Sequence, residues 1–132
     1  MLPEYLPSVL ASTYQNYKVY VIDNASTDDS IQILKPFFTS IELIQLDKNH
    51  GFTGGYNRGL KQIKADLYIL LNSDVKVNPD WLEPLVDTMS DPSVGACQPK
   101  VLSYNRPTEF EYAGACGGHI DYLGFTFCRG RL

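Results

Sequence analysis

Hydrophobic positions along this chain switch between the spacing of helices and the spacing of strands. Apolar residues recur every three or four positions in four stretches, which is the pattern of a helix with one buried face. These predicted helices cover residues 3–13, a segment from the polar cluster at 24–30 to residue 35, a segment from the end of 47–59 to about residue 64, and a segment from 78–80 to residue 89. Runs rich in β-branched and aromatic residues predict strands at 17–23, 41–46, 67–71 and 94–102. The alternation predicts an α/β fold with a mostly parallel sheet and flanking helices.

The strand predicted at 67–71 is the most informative of these elements. Its five apolar residues run without interruption and stop at Asn72, Ser73 and Asp74. An unbroken apolar run is typical of a strand buried on both faces, and its polar end lies at the sheet edge where α/β proteins bind ligands. Asp74 is therefore a candidate for contacting a ligand directly or through Mg²⁺ or Mn²⁺. The plainer interpretation is a turn, because Asn72 and Asp74 both favour turns, and spacing alone favours it.

Two other polar segments follow predicted strands. The strand at 17–23 ends on Asp23, and the cluster at 24–30 then supplies several candidate N-caps for the next helix. The segment 47–59, which we interpret as a loop, has four glycines within the nine residues 51–59. These glycines cost backbone entropy unless another group must approach the main chain closely. A helix that begins beside such a loop is suited to binding an anion. Glycine-rich turns are common, so this segment alone is a weak signal.

Composition narrows the class of protein. The chain has 132 residues, 44% of them hydrophobic and 20% charged, which fits one domain able to bury a core. A net charge of -4 argues against a general nucleic-acid binder, whose surface must be basic. One bound nucleotide is still compatible with that charge, because a metal ion or an arginine can balance it locally.

The cysteines and the apolar runs indicate a cytoplasmic protein. Cys97, Cys116 and Cys128 are odd in number and match no metal or redox spacing, so free thiols in a reducing compartment are the simpler interpretation. No apolar run has the length of a membrane span, and the first residues lack the basic start and apolar core of a signal peptide. Peripheral contact with the inner face of the cell membrane stays open.

Four segments carry a family resemblance. They read VIDNASTD at 21–28, NHGFTGGYNRG at 49–59, LLNSD at 70–74 and PDWL at 79–82. In this order and spacing, over residues 2–102, they resemble the family 2 glycosyltransferases, which have the GT-A nucleotide-sugar fold. Within the family they most resemble the rhamnosyltransferase-like bacterial branch, whose metal motif is Asn-x-Asp.

The resemblance implies a role for each motif residue. Asp23 would accept a hydrogen bond from the nucleotide base, usually uracil or thymine. Asp74 would coordinate Mg²⁺ or Mn²⁺ that bridges the diphosphate, with Asn72 as its weaker companion. The remaining residues on the nucleotide-sugar side are Asn24, Ser26, Gly51, Asn57 and Arg58.

The chain also departs from the family pattern at its start. Family members have a further strand before the helix predicted at 3–13, and in the doubly wound order that strand lies between those at 17–23 and 67–71. Its absence would leave a gap of about 9.6 Å, two strand spacings. We expect the gap to close by direct pairing of its neighbours or to be filled by another chain, which includes homo-oligomer formation through the open sheet.

The second departure concerns the catalytic base. The resemblance places it, an Asp or Glu, beyond Leu132, so no residue here is assigned that role. His119 and Asp121 lie toward the expected acceptor side, but a lone histidine in a glycine-rich loop is usually incidental.

We predict that the chain divides into two regions, of which the first, at 1–102, binds the nucleotide sugar. The start of a partly irregular acceptor-side region follows at 103–132, with a short strand at 109–112 and a loop at 113–118.

The resulting hypothesis is the donor-binding part of an inverting, metal-dependent glycosyltransferase. The donor would be a UDP- or dTDP-linked sugar, and the acceptor a saccharide or lipid-linked glycan in cell envelope polysaccharide biosynthesis. This chain alone should show weak or absent turnover. Two alternatives stay open: a non-catalytic nucleotide-sugar-binding fragment or partner module, and a sugar-phosphate nucleotidyltransferase. The latter usually has an Arg- or Lys-bearing glycine-rich loop after its first strand, and none is visible here.

Overall fold

A computed structural model of the chain describes residues 2–111 and 118–128. The chain forms two compact units, Met1–Trp81 and Leu82–Leu132. Each unit has its own secondary structure, and the predicted functional residues 23–74 all lie in the first.

The first unit is built on a parallel strand pair. Strands β1 (Tyr20–Asp23) and β2 (Glu42–Gln45) pair in register from Tyr20 opposite Glu42 to Asp23 opposite Gln45. They are joined by helix α2 (Ser30–Leu34) and a 3-10 turn (Lys35–Phe37). A proline inside an α-helix removes one backbone hydrogen bond and clashes with the preceding turn. Accordingly, α2 ends before Pro36, which lies in the first part of the 3-10 turn. The parallel α/β arrangement is confirmed.

The core of this unit lies between α2, the sheet and helix α1 (Leu2–Leu10). Leu6, Leu34 and Ile41 are buried together. Pro7 lies inside α1, and the helix continues through it to Leu10 although a proline has no N–H to donate to the carbonyl of Pro3 one turn earlier. The helix ends earlier than the predicted residue 13.

Helix α3 (Gly51–Leu60) corrects one expectation. The glycine-rich segment that we interpreted as a loop is itself the helix, which ends at Leu60 rather than near residue 64. Gly55 and Gly59 are its buried residues, and a Cβ on Gly59 would lie 2.2 Å from Cδ1 of Ile22 in β1. The glycines therefore allow a close approach between helix and strand, which outweighs their low helix propensity.

The segment 67–71 is not a strand, contrary to prediction. Leu67, Tyr68, Ile69 and Leu70 are 42–58% exposed and form no ladder. A strand is stable only when a neighbour satisfies its backbone groups, and in the described part of the chain β1 pairs with β2 alone. Closure of the gap by direct pairing of its neighbours is therefore wrong, and its filling by another chain stays a prediction.

The second unit holds helix α4 (Leu82–Met89) and a hairpin. The hairpin is formed by β3 (Gly118–Ile120) and β4 (Thr126–Cys128), which pair antiparallel. The strand predicted at 94–102 is absent, and so is the one predicted at 109–112 within the described residues. An isolated antiparallel bridge joins Leu102 to Phe110, and the pairing does not extend into a ladder in the described residues. Most of the loop predicted at 113–118 lies outside the described residues.

Among the residues that the structure describes, no helix has the length and apolar character needed to cross a membrane.

Candidate functional site

The carboxyl end of β1 forms the first part of the candidate site. Asp23 is buried, with 8% of its surface exposed, and its Oδ1 accepts a hydrogen bond from the backbone N–H of Ser26 at 3.1 Å. Between them Ala25 has a φ of 60°, a left-handed conformation that an alanine rarely adopts. The side-chain-to-backbone bond fixes this sharp turn directly after the strand.

Asn24 joins this turn to the start of α3. Its Nδ2 donates to Oδ1 of Asn49 at 3.1 Å and to the carbonyl oxygen of Gly51 at 3.0 Å. Its Oδ1 accepts the backbone N–H of His50 at 3.0 Å. The first and second motif segments therefore lie side by side, although Asn24 and His50 are 26 residues apart in the chain.

A side-chain hydrogen bond between Asp47 and His50, which the sequence analysis did not predict, lies in the same region. Nε2 of His50 lies 2.8 Å from Oδ1 of Asp47, and the histidine side chain is only 9% exposed. This hydrogen bond from His50 lowers the pKa of the Asp47 carboxyl. Residues 47–50 lie outside a helix, where a spacing of three does not by itself bring side chains together, so no local pattern predicts this pair.

The middle of α3 leads to the third motif segment. Tyr56 packs edge to face against the exposed ring of Phe52, with 5.1 Å between ring centroids. The Tyr56 hydroxyl donates to the carbonyl oxygen of Leu71 at 3.1 Å. Partial burial raises the pKa of this phenol. Since Leu71 precedes Asn72, this bond places the third motif segment beside α3.

The remaining predicted residues are exposed. Asn57 and Arg58 lie on the outer surface of α3, while Asn72 and Asp74 lie in or beside an exposed turn at 73–74. In the described ranges Asp74 makes no side-chain hydrogen bond or ion pair, and no hydrogen bond joins it to Asp23. Direct hydrogen bonds thus join Asp23 to Ser26 and Asn24 to Gly51. Asn72 is brought beside α3 by the bond from Tyr56 to the neighbouring Leu71.

The donor set for a metal ion is small. Across 2–111 and 118–128 no cluster of three or more His, Cys, Asp or Glu residues is arranged to hold a metal. Mg²⁺ bound with a diphosphate usually takes only one or two protein carboxylates and fills its other positions with phosphate and water. The unengaged carboxylate of Asp74 and the amide oxygen of Asn72 fit that requirement, and they do not form a complete protein cage.

Comparison with known proteins gives consistent matches. Residues 1–121 match the family model described as glycosyl transferase family 2. The O-antigen biosynthesis protein RfbC of Myxococcus xanthus is 30% identical over 98% of this chain and 10% of its own length. Hyaluronan synthase of Streptococcus pyogenes is 28% identical over 81% of this chain and 27% of its own. This chain therefore spans between a tenth and about a quarter of these two relatives.

A solved structure shares the fold. The crystal structure of S. aureus TarS 1–349 in complex with UDP superposes with a TM-score of 0.60 at 22% sequence identity. The match covers 75% of this chain and 35% of that one. At this identity the similarity establishes the fold, which is an incomplete GT-A fold with a short parallel sheet.

Proposed function

The chain belongs to glycosyl transferase family 2, and from that premise we propose that it forms the donor-binding part of a sugar transferase. The observation that carries the proposal is the junction between the carboxyl end of β1 and the start of α3. There Asn24 links the two segments, and buried Asp23 lies at the end of the strand. Ligands of open α/β sheets bind at this edge. The donor we propose is a nucleotide-diphosphate sugar linked to UDP or dTDP.

The nucleoside end of the donor is assigned to β1. One oxygen of Asp23 already accepts the Ser26 amide, which orients the carboxylate. Its other oxygen is the acceptor that a ring N–H of uracil or thymine requires. Asn24, Ser26 and Gly51 shape the wall beside that carboxylate.

The diphosphate end is assigned to α3 and the turn at 73–74. The guanidinium of Arg58 is exposed, and no ion pair engages it in the described part of the chain. It is therefore available to a phosphate, with Asn57 beside it on the helix. Asp74 would hold the divalent cation together with Asn72. When bound, Mg²⁺ or Mn²⁺ supplies Lewis-acid stabilisation of the negative charge that develops on the leaving phosphate.

Sugar transfer also needs an acceptor and a base. We propose a saccharide or lipid-linked acceptor of the cell envelope, handled at the cytoplasmic face of the membrane, and the O-antigen relative supports that acceptor class. An inverting reaction needs a carboxylate that removes the acceptor proton, and we assign none of residues 1–132 to it. Family membership favours this chemistry over nucleotidyl transfer.

A second candidate is a module that binds the donor without transferring it. The specific observation in its favour is the exposed segment 67–70, which leaves the turn carrying Asp74 without a sheet beneath it. Both candidates require donor binding and differ in turnover.

Calorimetry with UDP and dTDP, in the presence and absence of Mn²⁺, tests the shared requirement. We expect wild type to bind the nucleotides more tightly when the metal is present. Asp74→Ala should lose the metal-dependent part of the affinity. Asp23→Ala should weaken binding of the nucleoside even without metal. The loss of one charge-assisted contact corresponds to a decrease in affinity of about ten-fold or more.

Asp66→Ala is the matched control, since Asp66 is likewise an exposed carboxylate but lies outside the motif segments. It should bind like wild type. Binding that is unaffected by both Asp74→Ala and Asp23→Ala would refute the assigned site.

A further inference from the structure

The amide of Asn24 has no donor left for a ligand. A side-chain amide offers two N–H donors and one carbonyl oxygen. Both donors are used within the protein, toward Oδ1 of Asn49 at 3.1 Å and the carbonyl oxygen of Gly51 at 3.0 Å. The Asn24 oxygen accepts the backbone N–H of His50 at 3.0 Å, which uses one of its two lone pairs.

Asn49 extends the same network. Its Oδ1 accepts from Asn24 and also from the backbone N–H of Gly51 at 2.8 Å. Gly51 has a φ of 71°, a left-handed conformation available to glycine without strain. The two asparagines thus hold one tight turn, residues 49–51, from both sides.

The packing around Asn24 is equally specific. A Cβ on Gly55 would lie 3.1 Å from Cγ and from Nδ2 of Asn24, which is closer than an ordinary contact. The helix therefore approaches the amide plane closely, one turn beyond the hydrogen-bonded segment. Few other side chains fit this space and form the same three bonds.

We infer that Asn24 is a positioning residue of the donor site and not a ligand-binding one. It holds the 49–51 turn and the first amides of α3 at a fixed place beside the Asp23 carboxylate. This inference rests on the proposed function, and it assigns the contact with the donor to the groups that Asn24 orients.

A double-mutant cycle on Asn24 and Asn49 tests the inference, with UDP and Mg²⁺ as the probe in calorimetry. If the two side chains act as one unit, Asn24→Ala and Asn49→Ala should each weaken UDP binding about ten-fold, and the double variant should be no weaker than the worse single variant. Multiplying losses, or a loss confined to Asn24→Ala, would indicate that Asn24 contacts the nucleotide independently and would overturn the inference.

A spectroscopic measurement on the unaltered chain removes the dependence on variants that fold. The side-chain ¹⁵N–¹H₂ signals of Asn24 should stay in place when UDP and Mg²⁺ are added, while backbone amides at the start of α3 shift. A large shift of the Asn24 side-chain signals, with still backbone amides, would contradict the positioning role.

Glycine variants supply a matched comparison. Gly55→Ala pushes on the Asn24 amide and should weaken UDP binding, whereas Gly95→Ala, whose added methyl meets nothing within 4 Å, should leave it unchanged. A wild-type chain that binds neither UDP nor dTDP would refute the proposed function itself. Wild-type binding with additive losses at Asn24 and Asn49 would refute only this inference.

Discussion

Tyr56 shows how a single side chain connects two motif segments. Its hydroxyl donates to the carbonyl oxygen of Leu71, while its ring packs against Phe52 on the same helix. Without that donor the exposed apolar segment would be tied to α3 less firmly. At the residue scale, the geometry of the site therefore depends on bonds made by motif residues to which the resemblance assigns no role of their own.

Tyr56→Phe should destabilise the protein by about 1 kcal/mol near neutral pH, because it removes one hydrogen bond and leaves the Leu71 carbonyl without its donor. The difference should depend on pH. Burial raises the pKa of Tyr56 above its ordinary value of 10.0, so its contribution is complete below pH 10 and is lost as the pH rises through the folded-state pKa. Urea unfolding of both proteins at pH 7 and at alkaline pH measures this.

Tyr122→Phe is the control at the same scale. Tyr122 is 95% exposed, so its substitution should leave the unfolding free energy unchanged at pH 7. A stability difference between wild type and Tyr56→Phe that persists undiminished at high pH would show that the hydroxyl is not its source.

Helix α3 can pack closely against β1 because Gly59 has no side chain at the contact. Alanine is favoured over glycine in a helix by about 1 kcal/mol, which by itself predicts that Gly59→Ala is stabilising. Three carbons of Ile22 would lie 2.2–3.1 Å from the new Cβ, and overpacking of a core typically costs about 1–3 kcal/mol. At the element scale the steric term exceeds the propensity term.

We therefore expect Gly59→Ala to lower the free energy of unfolding, as measured by chemical denaturation. Ile22→Ala should make the same substitution less costly, because it removes the clashing carbons. Gly95→Ala, with open space around its Cβ, should change stability little. Equal effects of Gly59→Ala in both backgrounds would mean that contact with Ile22 is not the cause.

In the described part of the first unit, one edge of the two-stranded sheet, that of β1, is not paired with another strand. The N–H groups of Glu42 and Leu46 donate to Val19 and Asp23, so in a parallel ladder the backbone groups of Tyr20 and Ile22 point to the opposite edge. In the described residues no strand covers that edge, and the apolar segment 67–70 is exposed. An open edge with exposed apolar residues favours pairing with another chain.

At the scale of the molecule we expect association that strengthens with protein concentration. Sedimentation velocity over a range of concentrations should show a rising average mass, and Leu70→Lys should reduce it by placing a charge on the apolar segment. Leu123→Lys, which changes a similarly exposed leucine in the second unit, should not reduce it. A single monomer boundary at every concentration would contradict filling of the gap by another copy.

The sequence by itself determined the parallel β1–α2–β2 arrangement, the end of α2 shortly before Pro36 and the family, because these follow from local spacing, backbone chemistry and motifs. Only the tertiary structure decided that the glycines of 51–59 belong to a helix, since their close packing against β1 is not encoded in local propensity. It also decided against the strand at 67–71: apolar spacing indicates which residues favour burial, and a strand forms only where a neighbouring backbone is present to pair with it. The bonds of Asn24 depend on residues 25–27 positions away in the chain, which no local pattern predicts.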